Sequence, residues 1–139
     1  MKYVGNGTKI WHEHLSTILD CYIGENCIIH SHVWIGHGVE IGNNCKIQAF
    51  SFIPSGVKIG NNVFIGPRVT FTNDKYPPQT SSDKWLQTII EDDVSIGAGA
   101  VILPGITIKS GARIGAGAVV TKDVQRSQLV VGNPARPVQ

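Results

Sequence analysis

Apolar residues recur along this chain at every sixth position. Isoleucine stands at Ile23, Ile29, Ile35, Ile41, Ile47, Ile53, Ile59 and Ile65, and the beat resumes at Ile90, Ile96, Ile102, Ile108 and Ile114, with Val120 in the last slot. A period of six fits neither the helical repeat nor plain strand alternation. Short fixed repeats mark a solenoid, in which each repeat buries its apolar residue only by stacking on its neighbours. Four residues after each isoleucine come small or β-branched residues such as Cys27, Val33, Cys45, Ser51 and Val63, which suit the inside of a narrow tube of strands. Three residues after most isoleucines come Asn, Asp or Gly, types that tolerate positive φ, so one tight corner is predicted per hexad. His32, Phe50 and Arg68 break that corner rule, which makes them candidates for function. Each hexad therefore reads as a short strand plus a corner. Three hexads make one triangular coil, so residues eighteen apart stack.

The pattern also sets the organisation. Residues 1–22 form a weaker entry, where Leu15 and Cys21 keep the inward phase and Trp11 and Thr17 take the isoleucine slots. At 72–89 the beat fails in a segment carrying a diproline and a serine pair, which predicts a loop thrown out of the solenoid; such loops are usually functional. Residues 90–125 resume the coil, and about 125–139 form a cap. Trp34 and Phe52, eighteen apart, predict an exposed aromatic stripe of the kind that marks subunit contacts. With 139 residues the chain is expected to be one domain, 1–139. Its net charge of +2 and scattered basic residues argue against nucleic acid or membrane as partner. No apolar run approaches the roughly 20 residues of a membrane span, and the N-terminus lacks a signal-peptide core, so a cytoplasmic location is expected. The three cysteines form no CxxC pair; they are expected to be reduced core residues, and no metal is expected.

The hexads, the IGAGAVV segment at 114–120 and the VVGNPAR ending at 130–136 together resemble the hexapeptide-repeat acyltransferases over nearly the whole chain. The resemblance implies an all-β fold, a single-stranded left-handed parallel β-helix with one extruded loop. It also implies a homotrimer with active sites between subunits, and acetyl-CoA as co-substrate. Within that superfamily KIQAF at 46–50, VFIGPRVTFTNDKYP at 63–77 and VVTKDV at 119–124 look like the N-acetyltransferases of nucleotide-linked amino sugars. The most similar branch acetylates the 3-amino group of dTDP- or UDP-linked sugars used in surface polysaccharides. Two departures stand out: Tyr76-Pro77-Pro78 where many relatives read Tyr-Pro-Arg, and Ala49-Phe50 where others read KIQNN.

Acyl transfer to an amine needs positioning and oxyanion stabilisation first, with a base only assisting. The resemblance implies a histidine in or near the extruded loop where the acceptor is a hydroxyl; the loop here holds none, which favours an amine. His32 and His37 are the catalytic candidates. His37, Ser55 and Asn73 follow the eighteen-residue step, so they are expected along one corner leading into the loop. The resemblance assigns Asn73, Asp74 and Gln48 to the acceptor, Gln48 standing where a corner glycine is usual. For the donor, Gly97, Ala98 and Gly99 stack with Gly115, Ala116 and Gly117 in a ladder without bulk, suited to a pantetheine arm. Lys122, Arg126 and Arg136 are candidates for its phosphates. Three alternatives stay open: an O-acetyltransferase of the same fold, a γ-type carbonic anhydrase-like zinc protein using the His32-x4-His37 spacing, and a non-catalytic solenoid serving as a scaffold or ice-binding surface.

Overall fold

A computed structural model describes residues 2–79 and 81–138, and in it the chain winds as a left-handed β-helix. The first sheet stacks Tyr3–Val4, Tyr22–Ile23, Glu40–Ile41, Val57–Ile59, Thr88–Ile90 and Thr107–Ile108. The second stacks Lys9–Ile10, Ile28–Ile29, Lys46–Ile47, Phe64–Ile65, Ser95–Ile96, Arg113–Ile114 and Leu129–Val131, with Arg136–Pro137 antiparallel at its end. The third stacks Thr17–Ile18, Trp34–Ile35, Phe52–Ile53, Thr70–Phe71, Val101–Ile102 and Val119–Val120. The register is the eighteen-residue step: Ile23 faces Ile41, Ile29 faces Ile47 and Ile35 faces Ile53. Parallel strands normally join by right-handed crossovers because longer strands twist; two-residue strands accumulate little twist to enforce that hand.

The interior is a column of isoleucines with essentially no exposure, lined by the small residues four positions on. Burying one such side chain contributes roughly 1.5–3 kcal/mol. Ser51 enters this interior because its hydroxyl has carbonyl partners, Gln48 O at 2.9 Å and Gly66 O at 3.1 Å. Cys21, Cys27 and Cys45 are free, buried thiols. Cys45 donates its backbone N–H to Cys27 Sγ at 3.4 Å, one coil below.

The corner between the first and second sheets shows why paired Asn and Asp recur. Asn43 Oδ1 accepts from Glu25 N, Asn61 Oδ1 from Asn43 N and Asp92 Oδ1 from Asn61 N, at 2.7–2.8 Å. The second residue of each pair, Asn44, Asn62 and Asp93, holds φ of 58–63°. Gly42 lies under this ladder, where an added Cβ would sit 2.6 Å from Gly60 O.

Two expectations need correction. In the first coil the inward positions belong to Val4, Ile10 and Ile18, while Leu15 and Trp11 are exposed and Thr17 faces outward. A short 3-10 turn at Glu13–Leu15 adds residues at one corner and shifts the phase. The extruded segment also ends earlier than 89: Thr88–Ile90 is already strand, pairing with Val57–Ile59 at a step of thirty-one rather than eighteen.

Candidate functional site

The corner between the second and third sheets carries most of the candidates. Its column runs through His32, Phe50, Arg68, Gly99 and Gly117, all at positive φ between 60° and 70°. The three rule-breakers therefore keep the corner's geometry despite their side chains. That conformation costs a β-carbon-bearing residue roughly 1–2 kcal/mol. The His32 and Phe50 rings stack with centroids 4.9 Å apart, and the Arg68 guanidinium lies 5.5 Å above the Phe50 ring. Ser31 Oγ sits 3.0 Å from His32 Nδ1 and holds the imidazole from the side. Gln48 opens this corner one coil above His30, its own N–H donating to Ile65 O.

Above Arg68 the column turns bare. At Gly99 and Gly117 an added Cβ would meet nothing within 4 Å, so these two positions border open space, whereas Gly97 and Gly115 pack closely on the next coil. Gly117 N donates to Ala98 O at 2.8 Å, which fixes the two corners one above the other. The column ends under the Gly132–Arg136 turn, where Val119 N donates to Gly132 O and Ala135 N to Val119 O. Arg136 folds its guanidinium onto its neighbour's carbonyl, Nη1 to Ala135 O at 3.1 Å. Lys122 lines a separate cavity of about 290 Å³ with Asp123, Gln125, Gln128 and Pro137.

His37 lies elsewhere, on the corner between the third and first sheets. There the eighteen-residue step holds: Asn73 Nδ2 donates to Ser55 O at 2.8 Å, and Asn73 O accepts from Leu86 N at 2.8 Å. Asn73 thus ties both ends of the extruded loop to the coil. Asp74 Oδ2 accepts from Gln79 N at 2.6 Å, while Oδ1 is buried and, among the described residues, has no hydrogen-bond partner. The loop returns over the corner and closes a cleft of about 510 Å³ lined by His37, Ser55, Gly56, Ser82 and Trp85. Ser82 and Trp85 escape a reading of the sequence because the loop breaks the step that locates every other residue.

The candidates therefore form two groups. His32, Gln48 and the Gly–Ala corners share one edge of the third sheet; His37, Asn73 and Asp74 share the other. Among the described residues no three His, Cys, Asp or Glu side chains converge as metal ligands. His32 and His37 flank opposite ends of the Trp34–Ile35 strand.

The family model described as bacterial transferase hexapeptide (six repeats) matches residues 20–55, 38–73 and 87–122. A Schizosaccharomyces pombe protein described as an acetyltransferase is 43% identical over 82 residues, 55% of this chain and 40% of its own length. A tetrahydropyridine-2,6-dicarboxylate N-acetyltransferase of Staphylococcus aureus is 48% identical over 63 residues, 45% of this chain and 24% of its own. The chain thus spans less than half the length of these relatives. Among solved structures, the acetyltransferase domain of PglB from Neisseria gonorrhoeae, in complex with acetyl coenzyme A, superposes with a TM-score of 0.81 at 22% identity, covering 95% of this chain and 58% of that one. A point mutant of the N-acyltransferase AntD from Bacillus cereus, in complex with dTDP and coenzyme A, superposes with a TM-score of 0.84 at 21% identity, covering 99% and 84%.

Proposed function

Because the chain belongs to the bacterial transferase hexapeptide family, we propose that it transfers acetyl from acetyl-CoA to the amine of a nucleotide-linked amino-deoxy sugar. A 3-amino group on a dTDP or UDP sugar, made for surface polysaccharide in the cytoplasm, is the specific acceptor proposed. The observation that carries the reading is the bare Gly99–Gly117 column rising from the His32–Phe50–Arg68 stack. A thin arm fits along that column, where backbone amides and carbonyls rather than side chains line the path. Gly97, Ala98, Gly99, Ala116 and Gly117 would border the pantetheine, and Arg136 would meet phosphates near the far end; Lys122, in its separate cavity, lies off this path. AntD binds dTDP and coenzyme A on the same fold, and the S. aureus relative is named an N-acetyltransferase.

Asn73 would meet the acceptor through Oδ1, since Nδ2 already holds Ser55. Asp74 Oδ1, which has no hydrogen-bond partner among the described residues, would accept from the acceptor's amine N–H or a ring hydroxyl. His32 and His37 are the two candidates to take the proton that the amine loses. On one chain these groups sit on different corners, separated by one hexad, a contour of up to roughly 20 Å. Reacting atoms must approach to about 3–3.5 Å. A homotrimer that sets the His32 corner of one subunit against the His37 corner of the next answers that separation, with the Trp34–Phe52 stripe in the contact.

The test is thiol release from acetyl-CoA with a panel of nucleotide-linked 3-amino, 4-amino and 2-amino sugars. Turnover confined to the amino sugars, with the deaminated hydroxyl analogues inert, supports the reading. Silence across the panel, or stoichiometric zinc in the purified protein, overturns it.

A further inference from the structure

The cleft under the extruded loop has a lining that points to one kind of ligand. Among the described residues its walls are an indole, an imidazole, two hydroxyls and Gly56, with no carboxylate, ammonium or guanidinium. A diphosphate is poorly matched to such a surface, since a dianion needs cationic or multiple N–H donors. A neutral ring with hydroxyls on one side and C–H groups on the other is well matched.

Trp85 is the distinctive wall. The other tryptophans have partners: Trp34 stacks on Phe52 at 6.1 Å, and Lys9 Nζ lies 3.6 Å over Trp11. Among the described residues Trp85 has no ring or cation partner, and it remains 40% exposed. Yet its backbone is fixed. Trp85 N donates to Ser82 O at 3.1 Å, Leu86 N to Asn73 O at 2.8 Å, and Thr88 N to Gly56 O at 2.9 Å. Gly56 supplies the floor at φ 97°, and a Cβ there would lie 3.1 Å from Leu86 O. An exposed indole on a tethered backbone is a preorganised apolar plate.

We propose that Trp85 selects the acceptor by stacking on the apolar C–H face of its pyranose ring, while Ser55, Ser82 and His37 read the hydroxyl edge. This rests on the amino-sugar transferase reading and names the residue that sets its sugar preference. Each hydroxyl missing from the ring widens the C–H face, so the indole favours deoxy and dideoxy amino sugars over fully hydroxylated ones. A hydrophobic contact of this size is worth about tenfold in discrimination.

The experiment compares wild type, Trp85→Phe and Trp85→Ala with a nucleotide-linked dideoxy amino sugar and its fully hydroxylated counterpart. Trp85→Ala is expected to raise KM for the dideoxy acceptor about tenfold, to raise that for the hydroxylated one much less, and to leave KM for acetyl-CoA unchanged. Trp85→Phe should restore most of the preference. A second arm titrates tryptophan fluorescence: the nucleotide sugar should quench saturably in wild type and not in Trp85→Phe, while the free nucleoside diphosphate should not. Equal quenching by the free nucleotide would mean that the base, not the sugar, covers the indole, and the proposal falls. An unchanged sugar KM in Trp85→Ala sinks it as well. If no acceptor is acetylated but the sugar quench persists, the transferase reading fails and the cleft assignment stands.

Discussion

Arg68 and Phe50 hold φ of 60° and 65° with full side chains, in a column where glycine occupies the later coils. Conformation and side chain oppose each other there, and the balance is measurable. Arg68→Gly should be more stable than Arg68→Val by roughly 1–2 kcal/mol in urea unfolding, because a β-branched residue is worst in this region. Asp74 has one oxygen on Gln79 N and one buried without a partner among the described residues. Asp74→Asn should lower kcat/KM for the acceptor by roughly 10–100-fold, the worth of a hydrogen bond to a charged group, with little change in melting temperature. Cys21 offers a pH test. Burial pushes its thiol up, against the lowering effect of nearby Lys2. A raised value means that the fold prefers the neutral thiol, so this stabilisation is complete below the ordinary value of 9.0 and is lost as pH climbs through the raised one. Urea midpoints should decline as pH rises from 9.0 toward the raised value, and Cys21→Ala should flatten the decline.

The extruded loop is held by few bonds. Asn73 supplies two of them, through Nδ2 to Ser55 O and through its carbonyl to Leu86 N. Asn73→Ala removes the side-chain tether and should speed amide exchange across residues 74–87, leaving the isoleucine strands protected; faster exchange in the strands too would show that the loop supports the whole coil. Legibility follows the same boundary. The eighteen-residue step locates His37, Ser55 and Asn73, and the structure links Asn73 to Ser55 directly. Ser82 and Trp85 lie beyond the break, where no stacking partner fixes position. The first coil shows the same limit, since the turn at Glu13–Leu15 moves the inward phase from Thr17 to Ile18.

At the scale of the molecule, the third sheet presents Trp34 and Phe52 outward at 42% and 40% exposure, stacked on each other. Exposed aromatic rows of this kind mark contacts between chains. Sedimentation velocity is expected to show a trimer, and the Trp34→Glu/Phe52→Glu double variant should sediment as monomer. Because the proposed site draws its two halves from different subunits, that monomer should keep its β circular dichroism while losing transfer activity. A fully active monomer would place the site within one chain.

The hexads by themselves determined the triangular coil, its inward and outward residues and the residue columns, because each short strand can bury its isoleucine only on the strand eighteen positions away. They determined even the conformation at Phe50 and Arg68, where the repeat overrode local preference. Only the tertiary structure decided what happens where periodicity stops. It put His32 and His37 on different edges of one sheet, left Asp74 Oδ1 buried without a partner among the described residues, and folded Trp85 over His37 to make a cleft. Those placements depend on loop closure against a distant corner, a relation between residues that no repeat encodes.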